Sequence, residues 1–325
     1  MPDKNFKILD CTLRDGGYYT NWNFSKKLVR ELVYSLDTCN VNIIEMGYKS
    51  PTPAGRYKEC NDKFIKSVIN FNIKAQLCFM IDVKDYIQNN QVNISLLKKY
   101  ISNSSESPFQ ICRVAAKYSE IKYIPEIVEF LISLGYKVAC NLMSISLLDK
   151  KQIKEYTDIT QNLNLLATYV ADSYGSLYPK DVKEIFSNTQ LNGIHTHDNM
   201  GLAFANCIEA INNGGTYIDG TITGMGRGSG NVTIEQLIAY NKNTHINSNL
   251  LNLQEKFLSL KAKYNWGINS FYHKAGQEHI HPLYIQNLIK ISLKNSELLH
   301  ILNNIPEKET YNDVVLKSLI ENTIT

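Results

Sequence analysis

The feature that most constrains this chain is a beat. Through residue 240, short β-branched runs alternate with longer amphipathic stretches, eight times over. Segments 7–15, 42–47, 74–82, 109–116, 137–143, 166–172, 193–198 and 217–224 read as strands, being short, apolar and bounded by turn residues. Segments 26–37, 62–70, 95–102, 124–134, 149–161, 179–188, 203–212 and 233–240 carry apolar residues at helical spacing. Eight strand–helix units of about 25 to 30 residues match a (β/α)8 barrel, which takes about 250 residues. A doubly wound open sheet has the same alternation, because alternation alone does not show closure, but the count of eight favours the barrel. The expected fold is therefore α/β: a (β/α)8 TIM barrel over residues 1–240 with a small C-terminal helical region over 241–325. In that second part the beat stops, and 250–264, 284–293 and 311–322 look helical. The Asn-rich stretch 240–249 reads as the linker.

The bulk numbers exclude several classes. The 325 residues are 44% hydrophobic and 20% charged with a formal net charge of +3, without the dense basic stripe that nucleic-acid binding needs. No apolar run approaches the length of about 18 residues that spans a bilayer, so no membrane is expected. The polar start runs straight into a strand, which argues against a secretory signal. Seven widely spaced cysteines without a C-x-x-C pair point to a reducing, cytoplasmic setting rather than to disulfides or a thiolate metal site.

Catalytic residues of such barrels come from the C-terminal ends of strands. The first strand ends in Leu13-Arg14-Asp15-Gly16-Gly17, a charged pair on an apolar strand. That pair either closes a loop or meets a ligand. In the seventh strand, Gly193-Ile194-His195-Thr196-His197, residues i and i+2 share a face, so His195 and His197 both point into the barrel mouth. Two imidazoles and the Asp15 carboxylate suit a divalent ion, and strand one is separated from strand seven by strand eight alone. After strand eight comes Gly224-Met225-Gly226-Arg227-Gly228-Ser229-Gly230-Asn231, a mobile or anion-approaching loop whose Asn231 offers the metal an oxygen or caps the next helix. Glu45 and Asp172 end strands two and six. Arg113 in strand four either aids a carboxylate substrate or pairs with one of them.

The phrases T-L-R-D-G, H-x-H and G-M-G-R-G-S-G-N, in this order and at these strands, resemble the HMGL-like metallolyase superfamily. That superfamily includes 4-hydroxy-2-oxovalerate aldolase, hydroxymethylglutaryl-CoA lyase and the isopropylmalate synthases. The likeness covers most of residues 7–240 and is nearest to the pyruvate-forming aldolases. His281-Pro282-Leu283-Tyr284 is similar to a phrase of aldolase-like proteins from bacterial surface-polysaccharide clusters. The resemblance implies that Asp15, His195 and His197 ligate a divalent metal ion (Mn, Mg, Co or Zn), with Asn231 as a further ligand. It implies that Arg14 steadies the enolate oxygen and that Ser173 binds the keto acid; Glu45 and Arg113, from their places in strands two and four, are further expected substrate contacts. The hydroxyoxovalerate aldolases carry a catalytic His three residues after the metal Asp; this chain has Tyr18 there, so Tyr18, Tyr19 or a water becomes the expected proton carrier.

The implied reaction is metal-dependent aldol chemistry on a 2-oxo acid, a pyruvate-type enolate plus an aldehyde. Two alternatives stand beside it. One is a Claisen-type synthase joining an acyl-CoA to a 2-oxo acid, for which a C-terminal region of about 80 residues is short. The other is a partner-binding subunit of an aldolase–dehydrogenase pair, with little activity of its own. An aldehyde dehydrogenase and a second copy of the chain, as a homodimer, are the protein partners the resemblance allows.

Overall fold

The computed structural model describes residues 5–52 and 54–324. Eight parallel strands form the barrel: β1 (Lys7–Asp10), β2 (Ile43–Tyr48), β3 (Gln76–Asp82), β4 (Ile111–Ala116), β5 (Lys137–Leu142), β6 (Ala167–Asp172), β7 (Gly193–Thr196) and β8 (Tyr217–Gly220). They close in sequence order, β8 returning to pair with β1. Closure leaves the barrel no exposed edge. Around it lie α1 (Lys26–Thr38), α2 (Asp62–Val68), α3 (Ile94–Tyr100), α4 (Ile124–Ser133), α5 (Lys150–Thr160), α6 (Pro179–Ser187), α7 (Ala203–Asn212) and α8 (Ile234–Tyr240). The fold is the expected (β/α)8 barrel.

The first strand is shorter than its sequence suggests. It stops at Asp10, and the chain turns into two short helical segments, Thr12–Asp15 and Gly17–Thr20. A local polar network takes the backbone off the ladder: the Thr12 hydroxyl donates to the Asp10 carboxylate (2.5 Å) and accepts the Ile222 N–H (2.9 Å). The Asp15 N–H then donates to the Cys11 carbonyl at 2.9 Å, closing a helical turn. Arg14 and Asp15 therefore sit on a turn bent over the barrel rather than on a strand.

Inside the barrel, side chains stack in layers. Leu9, Ile43, Ile111, Tyr169 and Tyr217 form an apolar floor. Gly193 makes room for it, because a Cβ there would stand 2.5 Å from the Tyr169 ring. Two residues further along their strands come Glu45, Arg113, His195 and Asp219, a buried polar layer. The opposite strand faces carry Ile8, Phe79, Val114, Val138, Ile194 and Ile218 against the helices. Each such fully buried side chain contributes about 1.5–3 kcal/mol.

Beyond α8, the stretch read as a linker is tied down by its own amides. The Asn241 Nδ2 donates to the Phe6 carbonyl (2.6 Å) and the Asn247 Nδ2 to the Thr38 carbonyl (3.2 Å). The following helix α9 (Ser248–Tyr264) runs along α1, where Lys256 pairs with Glu31 at 2.6 Å. The later helices α10 (Ser270–Glu278), α11 (Pro282–Leu288), α12 (Asn295–Asn303) and α13 (Asp313–Ile324) share a second apolar cluster built on Tyr272, Ile280, Tyr284, Ile301 and Leu316. All seven cysteines are buried and free. Among the described residues no helix is long and apolar enough to cross a membrane.

Candidate metal centre

At the C-terminal mouth of the barrel, three side chains converge. His195 ends the inward face of β7, and His197 lies just beyond it. Each Nε2 stands 3.9 Å from the Asp15 Oδ2. The other ring nitrogens are engaged: His195 Nδ1 lies 3.1 Å from an Asp219 oxygen and His197 Nδ1 lies 3.1 Å from the Arg227 carbonyl. Both partners are acceptors, so in the neutral rings the hydrogen sits on Nδ1 and the lone pair on Nε2. Neither Nε2 has a hydrogen-bond partner among the described residues, although both are buried. Asn231 completes the group: its Nδ2 donates to Asp15 Oδ2 at 2.7 Å, while its buried Oδ1 is likewise unpartnered.

A buried acceptor left unmade costs about 1–3 kcal/mol, and here two ring nitrogens face one carboxylate while a third acceptor belongs to the amide that donates to it. Ligand atoms of Asp15, His195 and His197 all lie within 4.8 Å of one another. This donor set fits a divalent ion. Electrostatics agree. Burial alone would raise the Asp15 pKa, but Arg14, His197, His195 and Arg227 together outweigh it and hold the carboxyl below the usual range. Burial pushes His197 down to about 3 against the pull of Asp15, so its imidazole is neutral and its lone pair available.

Cys11, His195 and Asp219 also lie close together. Burial keeps the Cys11 thiol protonated, and Asp219 is held by Arg113 at 2.8 Å and by His195, so this group supports the centre rather than forming another. Replacing Asp219 by Asn should weaken metal binding by about 10–100-fold, the usual cost of losing a partner behind a ligating His. Calorimetric titration with Mn²⁺ tests this; unchanged affinity would show that Asp219 does not set the ring.

Two expected substrate contacts stand elsewhere. Glu45 and Arg113 are both fully buried, below the cavity. Arg113 pairs with Glu45 (3.3 Å) and Asp219 (2.8 Å) and lies 4.3 Å from the Tyr169 ring centre, while Glu45 also takes the Arg14 Nε at 2.8 Å. Through these ion pairs they bear on Arg14 directly and on His195 through Asp219. Arg14 spends Nη1 on Asp15 at 2.9 Å. Its Nη2 is buried without a partner among the described residues, and the residue lines the cavity.

That cavity is about 160 Å³, lined among others by Arg14, Tyr18, Ser173, His195, His197 and Arg227. Ser173 Oγ accepts the Ser144 N–H at 2.9 Å, which leaves its hydroxyl hydrogen free to donate. Tyr18 lies under the Arg227 guanidinium, 4.7 Å from ring centre to charge, and edge-on to Trp22. Tyr19 is turned away: its hydroxyl donates to the Gly228 carbonyl at 3.2 Å, its ring packs near Tyr264 and Trp266, and burial raises its pKa. It braces the loop and is not among the residues that line the cavity. The far wall comes from the C-terminal helices, through His281, Pro282 and Glu309.

The glycine-rich loop after β8 is latched. The Ser229 N–H and hydroxyl both donate to Asn199 Oδ1 (3.1 and 2.7 Å), and the Asp198 N–H donates to the Gly230 carbonyl at 2.8 Å. Arg227, whose Nε stands 4.0 Å from Asp15, is a site residue that pattern reading passed over. Gly226 explains one glycine of the loop: a Cβ there would lie 2.5 Å from both the Asp15 carboxylate and the Asn231 amide. Gly226→Ala should therefore impair metal binding more than it lowers the melting temperature. Equal melting with equal metal affinity would contradict that packing.

A model of the HMGL-like family matches residues 5–258. The chain belongs to the HMGL-like family. A 4-hydroxy-2-oxovalerate aldolase of Geobacillus genomosp. 3 is 26% identical over 249 residues, 74% of this chain and 71% of that protein. An oxaloacetate decarboxylase of Mycobacterium tuberculosis is 26% identical over 243 residues, 71% of this chain and 68% of that protein. Both names denote lyases, and this HMGL-like chain is a lyase-type enzyme at modest identity to them. Among solved structures, the N-terminal domain of a proposed aldolase from Bacteroides vulgatus superposes with a TM-score of 0.74 at 28% identity, covering 88% of this chain and 97% of that one. The carboxyl transferase domain of Rhizobium etli pyruvate carboxylase superposes at 0.70 with 13% identity, over 98% of this chain and 60% of that one, and shares the fold.

Proposed function

We propose that this HMGL-like protein is a divalent-metal-dependent lyase that breaks or makes a carbon–carbon bond beside a 2-oxo acid, through a pyruvate-type enolate, with an aldehyde as the other reactant. Asp15, His195 and His197 would hold the ion, Mn, Mg, Co or Zn, with Asn231 Oδ1 as a further donor. The observation that carries this reading is the set of buried, partnerless Nε2 atoms facing Asp15 beside a partnerless Arg14 Nη2. When bound, the ion supplies Lewis acidity at the keto acid.

The chain's own residues do the rest. Arg14 presents a fixed positive charge where the enolate oxygen develops, the preorganised electrostatics that carries much of catalysis. Its direction is set by Glu45 and Asp15 and costs no reorganisation during the reaction. Ser173 donates its free hydroxyl hydrogen to a substrate oxygen. Charge balance supports a dianionic partner. Around the centre, the guanidiniums of Arg14, Arg113 and Arg227 match the carboxylates of Asp15, Glu45 and Asp219. A divalent ion adds two positive charges, and a 2-oxo-acid enolate brings two negative ones.

In this reading residues 1–240 are the catalytic barrel and 241–325 the helical region that walls its mouth. An aldehyde dehydrogenase that consumes the aldehyde is the natural protein partner, and co-purification tests it. The reaction itself is tested by chelating the protein and then restoring Mn²⁺, Mg²⁺, Co²⁺ or Zn²⁺ singly in the presence of 4-hydroxy-2-oxovalerate. Metal-dependent release of pyruvate is expected; release that ignores chelation, or none with any ion, would defeat the proposal.

A further inference from the structure

The cavity that is lined by Arg14, His195 and His197 is also lined by His281 and Pro282, where α11 begins. We propose that His281, carried to the barrel mouth by the C-terminal helices, donates a hydrogen bond to the oxygen of the aldehyde half of the substrate. This rests on the enzyme reading above.

Four observations support it. His281 Nδ1 accepts the Leu283 N–H at 3.3 Å as the cap of α11, so in the neutral ring the hydrogen is on Nε2. That N–H has no partner among the described residues. The ring is also held in place: its backbone N–H donates to the Lys308 carbonyl (2.7 Å), and the Tyr311 ring lies 6.1 Å away. Segment 308–312 is fixed in turn by Tyr284, whose hydroxyl donates to the Thr310 carbonyl and accepts the Asn312 N–H, each at 3.0 Å. Finally, burial pushes His281 down to about 3, and Arg227, Lys117 and Lys84 add to the shift, so the ring is a neutral donor at physiological pH. Some of the wall's other polar groups are already engaged within the protein. The Tyr174 hydroxyl donates to the Glu309 carbonyl at 2.9 Å, Asp82 pairs with Lys84 at 2.7 Å, and Tyr18 lies under Arg227.

A neutral imidazole can polarise a carbonyl without bringing a charge, as in triosephosphate isomerase, a worked case of this device. In the addition direction the enolate carbon bonds to the aldehyde carbon, and the carbonyl π pair moves onto oxygen. The His281 Nε2–H steadies that alkoxide, and water supplies its proton. In cleavage the hydroxyl proton leaves to water, the carbon–carbon pair returns to the enolate, and the same N–H holds the oxygen as it becomes a carbonyl. No proton leaves the ring in either direction. Decarboxylation of oxaloacetate needs the same enolate, but its departing carboxylate loses negative charge on becoming carbon dioxide and never passes through an alkoxide, so it gains nothing from this donor and separates the two roles.

The test compares both reactions in the metal-loaded protein. His281→Asn keeps a side-chain acceptor for the α11 cap but is too short to reach across the cavity. It should lower kcat for 4-hydroxy-2-oxovalerate cleavage by about 10²-fold, the scale of one lost oxyanion donor, and leave oxaloacetate decarboxylation nearly unchanged. His281→Gln, which restores an N–H at greater reach, should recover part of the loss, and His281→Leu should not. Melting temperatures report the fold; if the Asn variant melts early, the Gln–Leu pair makes the same comparison. Unchanged cleavage in Asn and Leu, or cleavage and decarboxylation falling together, would overturn the assignment. A wild-type protein that performs neither reaction would instead refute the enzyme reading, and His281's role with it.

Discussion

An Asp15→Asn variant should remain folded, lose its divalent ion and turn over at least about 10³-fold more slowly, since Lewis-acid stabilisation is worth several kcal/mol. Asparagine is nearly isosteric, and Arg14 keeps its second partner, Glu45, at 2.8 Å. What vanishes is the single negative charge that both Nε2 lone pairs face. Metal content after dialysis, set beside the rate of pyruvate release, checks both halves. A variant that keeps its ion would move the centre elsewhere, and one that loses the ion but keeps its rate would make the metal irrelevant to the chemistry.

Arg113→Met should cost about 3–5 kcal/mol of stability, the usual penalty for removing one member of a buried ionic network. Arg113 is fully buried between Glu45 and Asp219, and without it two carboxylates are left without their shared cation inside the barrel. Methionine fills most of the volume, so the loss would report charge rather than a cavity. Urea unfolding of the wild type and variant at pH 7 measures it. A loss under about 1 kcal/mol, the scale of a surface pair, would mean that water or protonation relieves the carboxylates and that the layer is not the rigid support described here. Metal affinity should fall as well, because Asp219 orients His195.

Those two residues illustrate what the chain discloses and what it hides. The barrel was legible because eight short apolar runs at a regular interval leave few other folds. His195 and His197 were legible because a strand's period of two is local. Asp15 was legible by chemistry but not by place: a Thr12–Asp10 hydrogen bond, invisible in a propensity pattern, ends β1 early and puts Asp15 on a helical turn. Arg113 and Glu45 looked like substrate contacts because charge in a strand suggests function. Their pairing with each other and with Asp219 spans 68 and 106 residues of chain and appears only once the barrel closes. Asp219 itself, inside Tyr217-Ile218-Asp219-Gly220, carried no signal beyond a lone carboxylate in a short strand. Arg227 was hidden in a loop read for its glycines, and the place of His281 depends on how helices beyond residue 264 return to the mouth.

The central claim is that Asp15, His195 and His197 hold an ion that, with Arg14, stabilises a pyruvate enolate. Exchange of the pyruvate methyl protons with deuterated water, followed by NMR, tests it most directly, because it needs the enolate and no aldehyde. The account predicts no exchange in chelated protein, exchange when Mn²⁺, Mg²⁺, Co²⁺ or Zn²⁺ is restored, and none in the Asp15→Asn variant. Exchange that persists after chelation, or that is absent with every one of these ions, would contradict it.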